Sequence, residues 1–146
     1  MNNVFEKMNE KLVPIAMKIS SNRYLTAIKE GFFGVMPIII VGSIFLLLTS
    51  IPINGYEEFM AGILGENWND IFMFPYRISY GLMSLYVVVG IAKSLANHYQ
   101  IGSRESIIVA FVSYFMLTPL IVDADNAKGL PIDNFGASGL FLAIIS

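Results

Sequence analysis

The stretch GFFGVMPIIIVGSIFLLLTSIPI, residues 31–53, decides the fold of this chain. Its 23 residues carry no charge; Lys29 and Glu30 precede it, and Glu57 and Glu58 follow it. At about 1.5 Å per residue, a helix of this length measures about 34 Å and can cross a hydrocarbon core of about 30 Å. We therefore predict that the stretch forms a membrane-spanning helix.

The composition of the whole chain agrees with a membrane protein. Of the 146 residues, 55% are hydrophobic and 14% are charged, whereas about 25% of the residues of a soluble domain are charged. The formal net charge of −2 offers no basic surface, so we exclude nucleic acid as a partner. The chain contains no cysteine, which excludes disulfides, thiolate metal sites and cysteine nucleophiles. The lipid bilayer is therefore the first partner that we expect.

The residues before this stretch predict an amphipathic helix. Between residues 3 and 19, apolar side chains recur at steps of three and four, and most lysines and glutamates lie off that stripe. Pro14 is expected to bend or divide the helix, because proline provides no backbone N–H. Two interpretations stay open: the helix lies in the cytoplasmic membrane interface, or it packs on the rest of the protein. We assign residues 1–30 to this segment and residues 31–146 to a transmembrane region.

Three further apolar segments follow the first one. The second covers residues 71–92, and we predict a helix that begins with Pro75 in its first turn and runs to about Asn97. The third, residues 106–122, has 17 uncharged residues with a proline near its end. The fourth begins at Phe135 and has 12 residues, too few to cross a bilayer. We therefore expect the chain to be a truncated part of a longer protein.

The distribution of lysine and arginine predicts the orientation of the spans. Five such residues precede the first span, and the first loop, residues 54–70, contains none. The second loop, residues 93–105, contains two, and the third, residues 123–134, contains one lysine against three aspartates. We therefore expect a multi-pass protein of the plasma membrane with a cytoplasmic N-terminus. The predicted fold is all-α, with an interfacial helix, three transmembrane helices and the start of a fourth, truncated one.

Two polar residues are the candidates for a functional role. Arg77 is the one charge inside an apolar segment, and at a helix centre it would cost about 2.5–3.5 kcal/mol. Near the start of its helix it could extend to the outer interface; the alternative is pairing or contact with a substrate. No acidic residue of the three spans can pair with it, so a partner would come from a loop or from further sequence. His98, the only histidine, has no carboxylate near it in the sequence and is expected in a solvated loop.

Small residues with four-residue spacing occur at the inner end of the second span. They are Gly90 and Ser94 in one pair and Ala92 and Ala96 in the other. Such spacing allows close contact between helices. Together with the three glycines of the first span, these pairs predict that copies of the chain associate. The sequence contains no phosphate-binding glycine loop, paired-carboxylate motif or metal-spaced cluster, so no catalytic residue, metal or cofactor is expected.

Five stretches together resemble a known family. They are KLVPIAMKIS (11–20), AIKEGFFGVMPIIIVGSIFLLLTSIP (27–52), GLMSLYVVVGIAKSLA (81–96), FVSYFMLTP (111–119) and GLFLAIIS (139–146). Their order and spacing resemble those of the sugar permeases, enzyme IIC, of the bacterial phosphotransferase system. The branch that the chain resembles contains the lactose, cellobiose and chitobiose permeases.

This resemblance implies a homodimeric transporter that takes up a β-linked disaccharide such as cellobiose or chitobiose. A cytosolic partner, enzyme IIB, phosphorylates the sugar, so the chain itself is a transporter component and not an enzyme. By the same resemblance, the chain is the N-terminal scaffold and dimerisation portion, and the sugar-contacting residues lie beyond Ser146. The alternative is a small membrane protein that anchors or binds partner helices and transports nothing. Pro37, Pro75 and Pro119 favour the transporter, because broken helices commonly line solute paths.

Overall fold

The computed structural model describes residues 10, 12–18, 20–119, 121–122, 128–129 and 132–146. Its helices after residue 22 are α1 (Arg23–Thr49), α2 (Tyr56–Leu64), α3 (Trp68–Gly81), α4 (Met83–Tyr99), α5 (Ser103–Leu117) and α6 (Leu140–Ile145). Two short strands, β1 (Ile121–Val122) and β2 (Lys128–Gly129), pair antiparallel, and 3-10 turns at Ile132–Phe135 and Ala137–Gly139 precede α6. Apart from this strand pair the described fold is helical, so the predicted all-α class is confirmed.

Helix α1 covers residues 31–49 of the stretch that was predicted as the first span, and the last four residues of the stretch follow the helix. The Asn22 side chain accepts hydrogen bonds from the backbone N–H groups of Tyr24 and Leu25 at 2.9 and 3.4 Å. These N–H groups have no carbonyl partner within the helix, so the bonds stabilise its start. Pro37 lies inside α1 without ending it. Of the described residues, α1 is the one helix that alone is long and apolar enough to cross a membrane.

The second predicted helix begins earlier than expected. Helix α3 begins at Trp68, seven residues before Pro75, so the prediction that Pro75 lies in the first turn is wrong. An interior proline removes only one helical hydrogen bond, here to the carbonyl of Ile71, and the helix continues through it. The helix breaks instead at Leu82, where φ is −111° and ψ is 16°. Helices α3 and α4 are bent by 43° there, and together they are long and apolar enough for a broken span or a re-entrant loop.

Helix α1 packs antiparallel against α4 and then against α3. Near the start of α1, a Cβ atom on Gly90 of α4 would lie 2.8 Å from the Cα of Gly31. Farther along α1, a Cβ atom on Gly42 would lie 2.5 Å from the Cβ of Ser79 on α3. At both points the helices are closer than a larger residue would allow. The glycines of α1 therefore serve contacts within the chain at these two positions.

The third apolar segment is only partly helical. Helix α5 ends at Leu117, and Thr118 has extended backbone angles, with φ −71° and ψ 122°. Extended angles are favoured there because the ring of Pro119 clashes with a helical residue before it. The 15 residues of α5 measure about 22 Å, less than the hydrocarbon core of about 30 Å. Because α5 alone is too short to cross the membrane, the third span stays a prediction.

A buried polar network joins α4, α5 and the turns before α6. Ser84 and Tyr114 are 0% exposed, and their hydroxyl oxygens are 2.6 Å apart. Ser84 donates to the carbonyl of Phe135 at 2.5 Å, so Tyr114 is the donor to Ser84, and the Tyr114 hydroxyl also lies 3.2 Å from the carbonyl oxygen of Asn134. Both hydroxyl groups are therefore hydrogen-bonded, as buried polar groups generally are. The network holds the 3-10 turns close to the break at Leu82.

The described residues of the predicted amphipathic helix are helical and exposed. Residues 12–18 form a helix that includes Pro14, and each of them is exposed. The exposed fractions of Leu12, Ile15 and Met17 are 53%, 55% and 67%. The remaining residues of the predicted amphipathic helix, including 3–9, lie outside the described residues.

Candidate functional site at the ends of α1 and α4

The first turns of α1 and the last turns of α4 bring together polar side chains that are far apart in sequence. Ser94 donates a hydrogen bond to Oε2 of Glu30, and Nε2 of His98 lies 3.9 Å from the same oxygen. We call Glu30, Ser94 and His98 the carboxylate cluster. The contact between Gly31 and Gly90 explains it, because the close backbones one turn away place Glu30 within reach of α4.

His98 is not in a loop, as the sequence analysis expected. It lies in the last turn of α4, and its side chain is 36% exposed. The expectation failed because α4 runs to Tyr99, beyond the predicted end at about Asn97. The carboxylate neighbour of His98, Glu30, comes from another helix and was not visible near it in the sequence. One sequence signal could have found the cluster: Glu30 directly precedes Gly31, while Ser94 and His98 follow Gly90 by four and eight residues. In an antiparallel pair joined at the two glycines, these positions meet.

The carboxylate cluster has the geometry of a contact between helices. Ser94 donates its hydrogen bond across the helix pair, to the carboxylate of Glu30. The 3.9 Å between His98 and Glu30 exceeds the length of a hydrogen bond. Among the residues that the structure describes, no group of three or more His, Cys, Asp or Glu side chains could hold a metal. The cluster therefore fixes α4 to α1.

Two tyrosines and an arginine lie at the same end of the helix pair as the carboxylate cluster. The hydroxyl groups of Tyr24 and Tyr99 are 2.8 Å apart. The guanidinium carbon of Arg23 lies 4.7 Å from the ring centroid of Tyr99, within the range of about 6 Å for a cation–π contact. Both tyrosines are exposed. Exposed tyrosine and arginine are typical of the boundary between a membrane and water.

Arg77 lies on α3 and is not part of the carboxylate cluster. Its Nη2 is 3.9 Å from Oδ1 of Asp70, and the two side chains are 68% and 78% exposed. The sequence analysis placed Asp70 in a loop; the structure places it in the first turn of α3. An exposed ion pair of this kind contributes about 0–1 kcal/mol. Nothing in the described structure brings a substrate site to Arg77, and its role in substrate binding stays a prediction.

The small-residue pairs of α4 point in two directions. Gly90 and Ser94 contact α1, as described above. Ala92 and Ala96 are 8% and 1% exposed and line an apolar groove of about 630 Å³ beside α5 and α6. Gly34 of α1 differs from these residues, because a Cβ atom there would meet nothing within 4 Å. A contact between two copies of the chain through these residues stays a prediction.

The chain is similar to known permeases over nearly its whole length. It is 32% identical to the cellobiose-specific EIIC component of Geobacillus stearothermophilus, over 99% of this chain and 34% of that protein. It is 34% identical to the lactose-specific EIICB component of Staphylococcus epidermidis, over 94% of this chain and 24% of that protein. Among solved structures it matches the transporter ChbC, the IIC component from the N,N'-diacetylchitobiose-specific phosphotransferase system. That match has a TM-score of 0.84 and 33% identity, and covers 94% of this chain and 34% of ChbC.

These similarities decide the family of the chain. The chain spans between about a quarter and a third of the length of these relatives. Residues 29–146, most of the chain, match the family model described as "Phosphotransferase system, EIIC". Members of this family are membrane proteins and act as the transporter components of that system. The resemblance stated from the sequence is therefore confirmed, and the chain belongs to the EIIC family of the phosphotransferase system.

Proposed function

We propose that the chain is part of a permease that takes up a β-linked disaccharide, such as cellobiose or chitobiose, for phosphorylation. The observation that carries this proposal is the match to ChbC, with a TM-score of 0.84 at 33% identity. The cellobiose-specific relative supports the same class of sugar. In this proposal the chain corresponds to the N-terminal scaffold portion of the permease and has no catalytic residue of its own.

Two protein partners belong to the proposal. The first is cytosolic enzyme IIB, and its support is the lactose-specific relative that is named an EIICB component. The second is another copy of the permease, in a homodimer. Because Gly31, Gly42 and Gly90 serve contacts within the chain, a contact between copies would use other surfaces. Gly34 is the glycine of α1 that faces open space, so we expect close contact between copies there.

The helix pairing supports a single bent span made of α3 and α4. At one end of α1, Tyr24 contacts Tyr99 of α4; at the other, Oγ1 of Thr49 is 3.6 Å from Sδ of Met73 on α3. The stretch from Met73 to Tyr99 has 27 residues, the same number as α1. The bent pair therefore covers the whole length of α1, about 40 Å. In this proposal both cross the membrane together, and residues 31–146 form the transmembrane region.

The charges support a cytoplasmic location for the carboxylate cluster. Antiparallel packing places the basic residues of α1 and α4 at one end of the pair and the acidic residues around α2 at the other. The basic residues are Arg23, Lys29 and Lys93, and the acidic ones are Glu57, Glu58, Glu66 and Asp70. Because basic residues are enriched on the cytoplasmic side, the N-terminus is cytoplasmic in this proposal. The exposed helix at residues 12–18 then lies in the cytoplasmic interface, within the segment of residues 1–30.

A chimeric permease tests this function. Residues 29–146 replace the matching part of the cellobiose-specific relative, and uptake of radiolabelled cellobiose is measured in cells that have no other cellobiose uptake. We expect uptake, because the close contacts of Gly31 and Gly90 between α1 and α4, and of Gly42 between α1 and α3, all lie within residues 29–146. A matched chimera with Gly31→Leu should lose uptake, since Gly31 leaves no room for a side chain. A chimera that reaches the membrane at the level of the relative but takes up no cellobiose would contradict the proposal.

A binding measurement on the chain alone tests the location of the sugar site. We expect the purified chain in detergent to bind no cellobiose in calorimetric titration, because the family's sugar-contacting residues lie outside residues 1–146. The intact cellobiose-specific relative serves as the positive control. Saturable binding by the chain alone would move the sugar site into these residues, with Arg77 as the first position to substitute.

A further inference from the structure

Helix α2 is short, and its apolar side is largely uncovered by the described chain. Its nine residues include no buried one. At about 100° per residue, its apolar side chains fall within one arc of about 140°. These are Tyr56, Phe59, Met60, Ile63 and Leu64, and the glutamates Glu57 and Glu58 lie outside the arc. Phe59 and Ile63 are 64% and 63% exposed. The helix is therefore amphipathic, with an apolar side that needs a partner.

Two contacts of Tyr56 fix α2 at the level where α1 ends and α3 begins. The Tyr56 hydroxyl donates to the carbonyl of Leu48 at 2.8 Å, and this carbonyl belongs to the last turn of α1, where helical partners are lacking. The Tyr56 ring stands edge-to-face on the buried Trp68, with centroids 5.7 Å apart. Trp68 is the first residue of α3. Helix α2 therefore lies beside the helix ends and does not project away from them.

We propose that α2 lies in the outer membrane–water interface, with its apolar side among lipid acyl chains and its glutamates in water. Helix α2 lies beside the end of α1 and the start of α3, and when α1 crosses the membrane these helix ends lie in the interface, where tyrosine and tryptophan are enriched. Its charged residues are acidic and lie outside the apolar arc, Glu58 opposite its centre and Glu57 beside its edge, so the helix binds by inserting apolar side chains and not by attracting anionic headgroups. The inference rests on the proposed crossing of the membrane by α1. The role of α2 is then to hold the loop between the first two spans against the bilayer.

Spin labels on single cysteines test where the two sides of α2 lie. Because the chain has no native cysteine, each variant carries one nitroxide in the full chain, reconstituted in phosphatidylcholine vesicles. Phe59→Cys and Ile63→Cys report on the apolar side. Glu58→Cys and Gly62→Cys are the matched controls on the other side, and a Cβ atom on Gly62 meets nothing within 4 Å. Collisions with oxygen, which concentrates in lipid, are compared with collisions with a water-soluble nickel complex.

We expect oxygen to dominate at positions 59 and 63 and the nickel complex to dominate at positions 58 and 62. Labels at 59 and 63 that collide with neither reagent would show that protein covers this side and would overturn the inference. Labels there that collide with nickel as strongly as the label at 58 would place the helix in water, with the same consequence. Ile40→Cys, at an exposed position in the middle of α1, separates the two proposals. If the label at 40 is in water, the proposed span fails; if it is in lipid while 59 and 63 are in water, only the inference about α2 fails.

Discussion

Replacing Gly90 by alanine tests the close contact between α1 and α4. A Cβ atom on Gly90 would lie 2.8 Å from the Cα and 3.0 Å from the carbonyl oxygen of Gly31. Both are backbone atoms, which cannot rotate away as a side chain could. Non-bonded carbon atoms prefer a separation of about 3.5–4.0 Å, so the helices must move apart by roughly 0.7–1.2 Å. We therefore expect Gly90→Ala to weaken the pairing of α1 with α4.

The magnitude follows from two opposing effects. Overpacking of this kind costs about 1–3 kcal/mol, whereas alanine in a helix interior is favoured over glycine by about 1 kcal/mol. The net destabilisation by Gly90→Ala is then roughly 0–2 kcal/mol. Gly34→Ala is the matched control when micelles are in excess and each holds at most one chain, because within the chain its new Cβ atom meets nothing within 4 Å. It should then stabilise the chain by about 1 kcal/mol. The helix propensity cancels between the two variants, so their difference of about 1–3 kcal/mol measures the contact.

Unfolding of the purified chain in mixed micelles provides the measurement. The fraction of denaturing detergent is raised, and the loss of helix is followed by circular dichroism for the parent chain, Gly90→Ala and Gly34→Ala. The free energies of unfolding are then compared at one micelle composition. If Gly90→Ala is as stable as Gly34→Ala, the backbones of α1 and α4 are not in contact at Gly90. That result would refute the close pairing of α1 with α4. It would also refute the explanation of the carboxylate cluster by the contact between Gly31 and Gly90.

Three further predictions use the same chain. Ser84→Ala and Tyr114→Phe should each lower the free energy of unfolding by about 0.5–3 kcal/mol, because each removes hydrogen bonds from a buried network. The double variant should lose less than the sum, and full additivity would show that the two hydroxyl groups do not interact. Arg77→Gln should change this free energy by less than about 1 kcal/mol, because its ion pair is exposed; a larger loss would reveal another partner. A cysteine at Asn54 should react with an impermeant thiol reagent in intact cells, and one at Asn97 only after lysis, because the basic end faces the cytoplasm; labelling at Asn97 in intact cells would reverse the proposed orientation.

The fold class and the family could be predicted from the sequence. An uncharged run such as residues 31–53 requires an apolar environment whatever its neighbours are, and its length sets the thickness that it can cross. Helix α1 accordingly ends at Thr49, within that run. The family resemblance also needed no structure, since it depends on the order and spacing of stretches along the chain.

The break between α3 and α4 could not be predicted in the same way. Pro75 was the obvious sequence signal, yet the helix continues through it and breaks at Leu82. The 3-10 turns before α6 contact the chain at this break: a Cβ atom on Gly136 would lie 3.0 Å from the carbonyl oxygen of Tyr80. Contacts with residues more than 50 positions away accompany the break, and a local pattern carries no information about them.

The carboxylate cluster shows most clearly which features follow from the sequence and which depend on the tertiary structure. The sequence by itself determined that Glu30 and His98 lie near helix ends rich in basic residues, because hydropathy and charge are properties of neighbouring residues. Only the tertiary structure decided that the two side chains meet across 68 positions. Their meeting depends on the register of α1 against α4, which is set where Gly31 and Gly90 allow two backbones to touch. Such a register is a property of the packed helix pair, because each helix alone is compatible with many alignments.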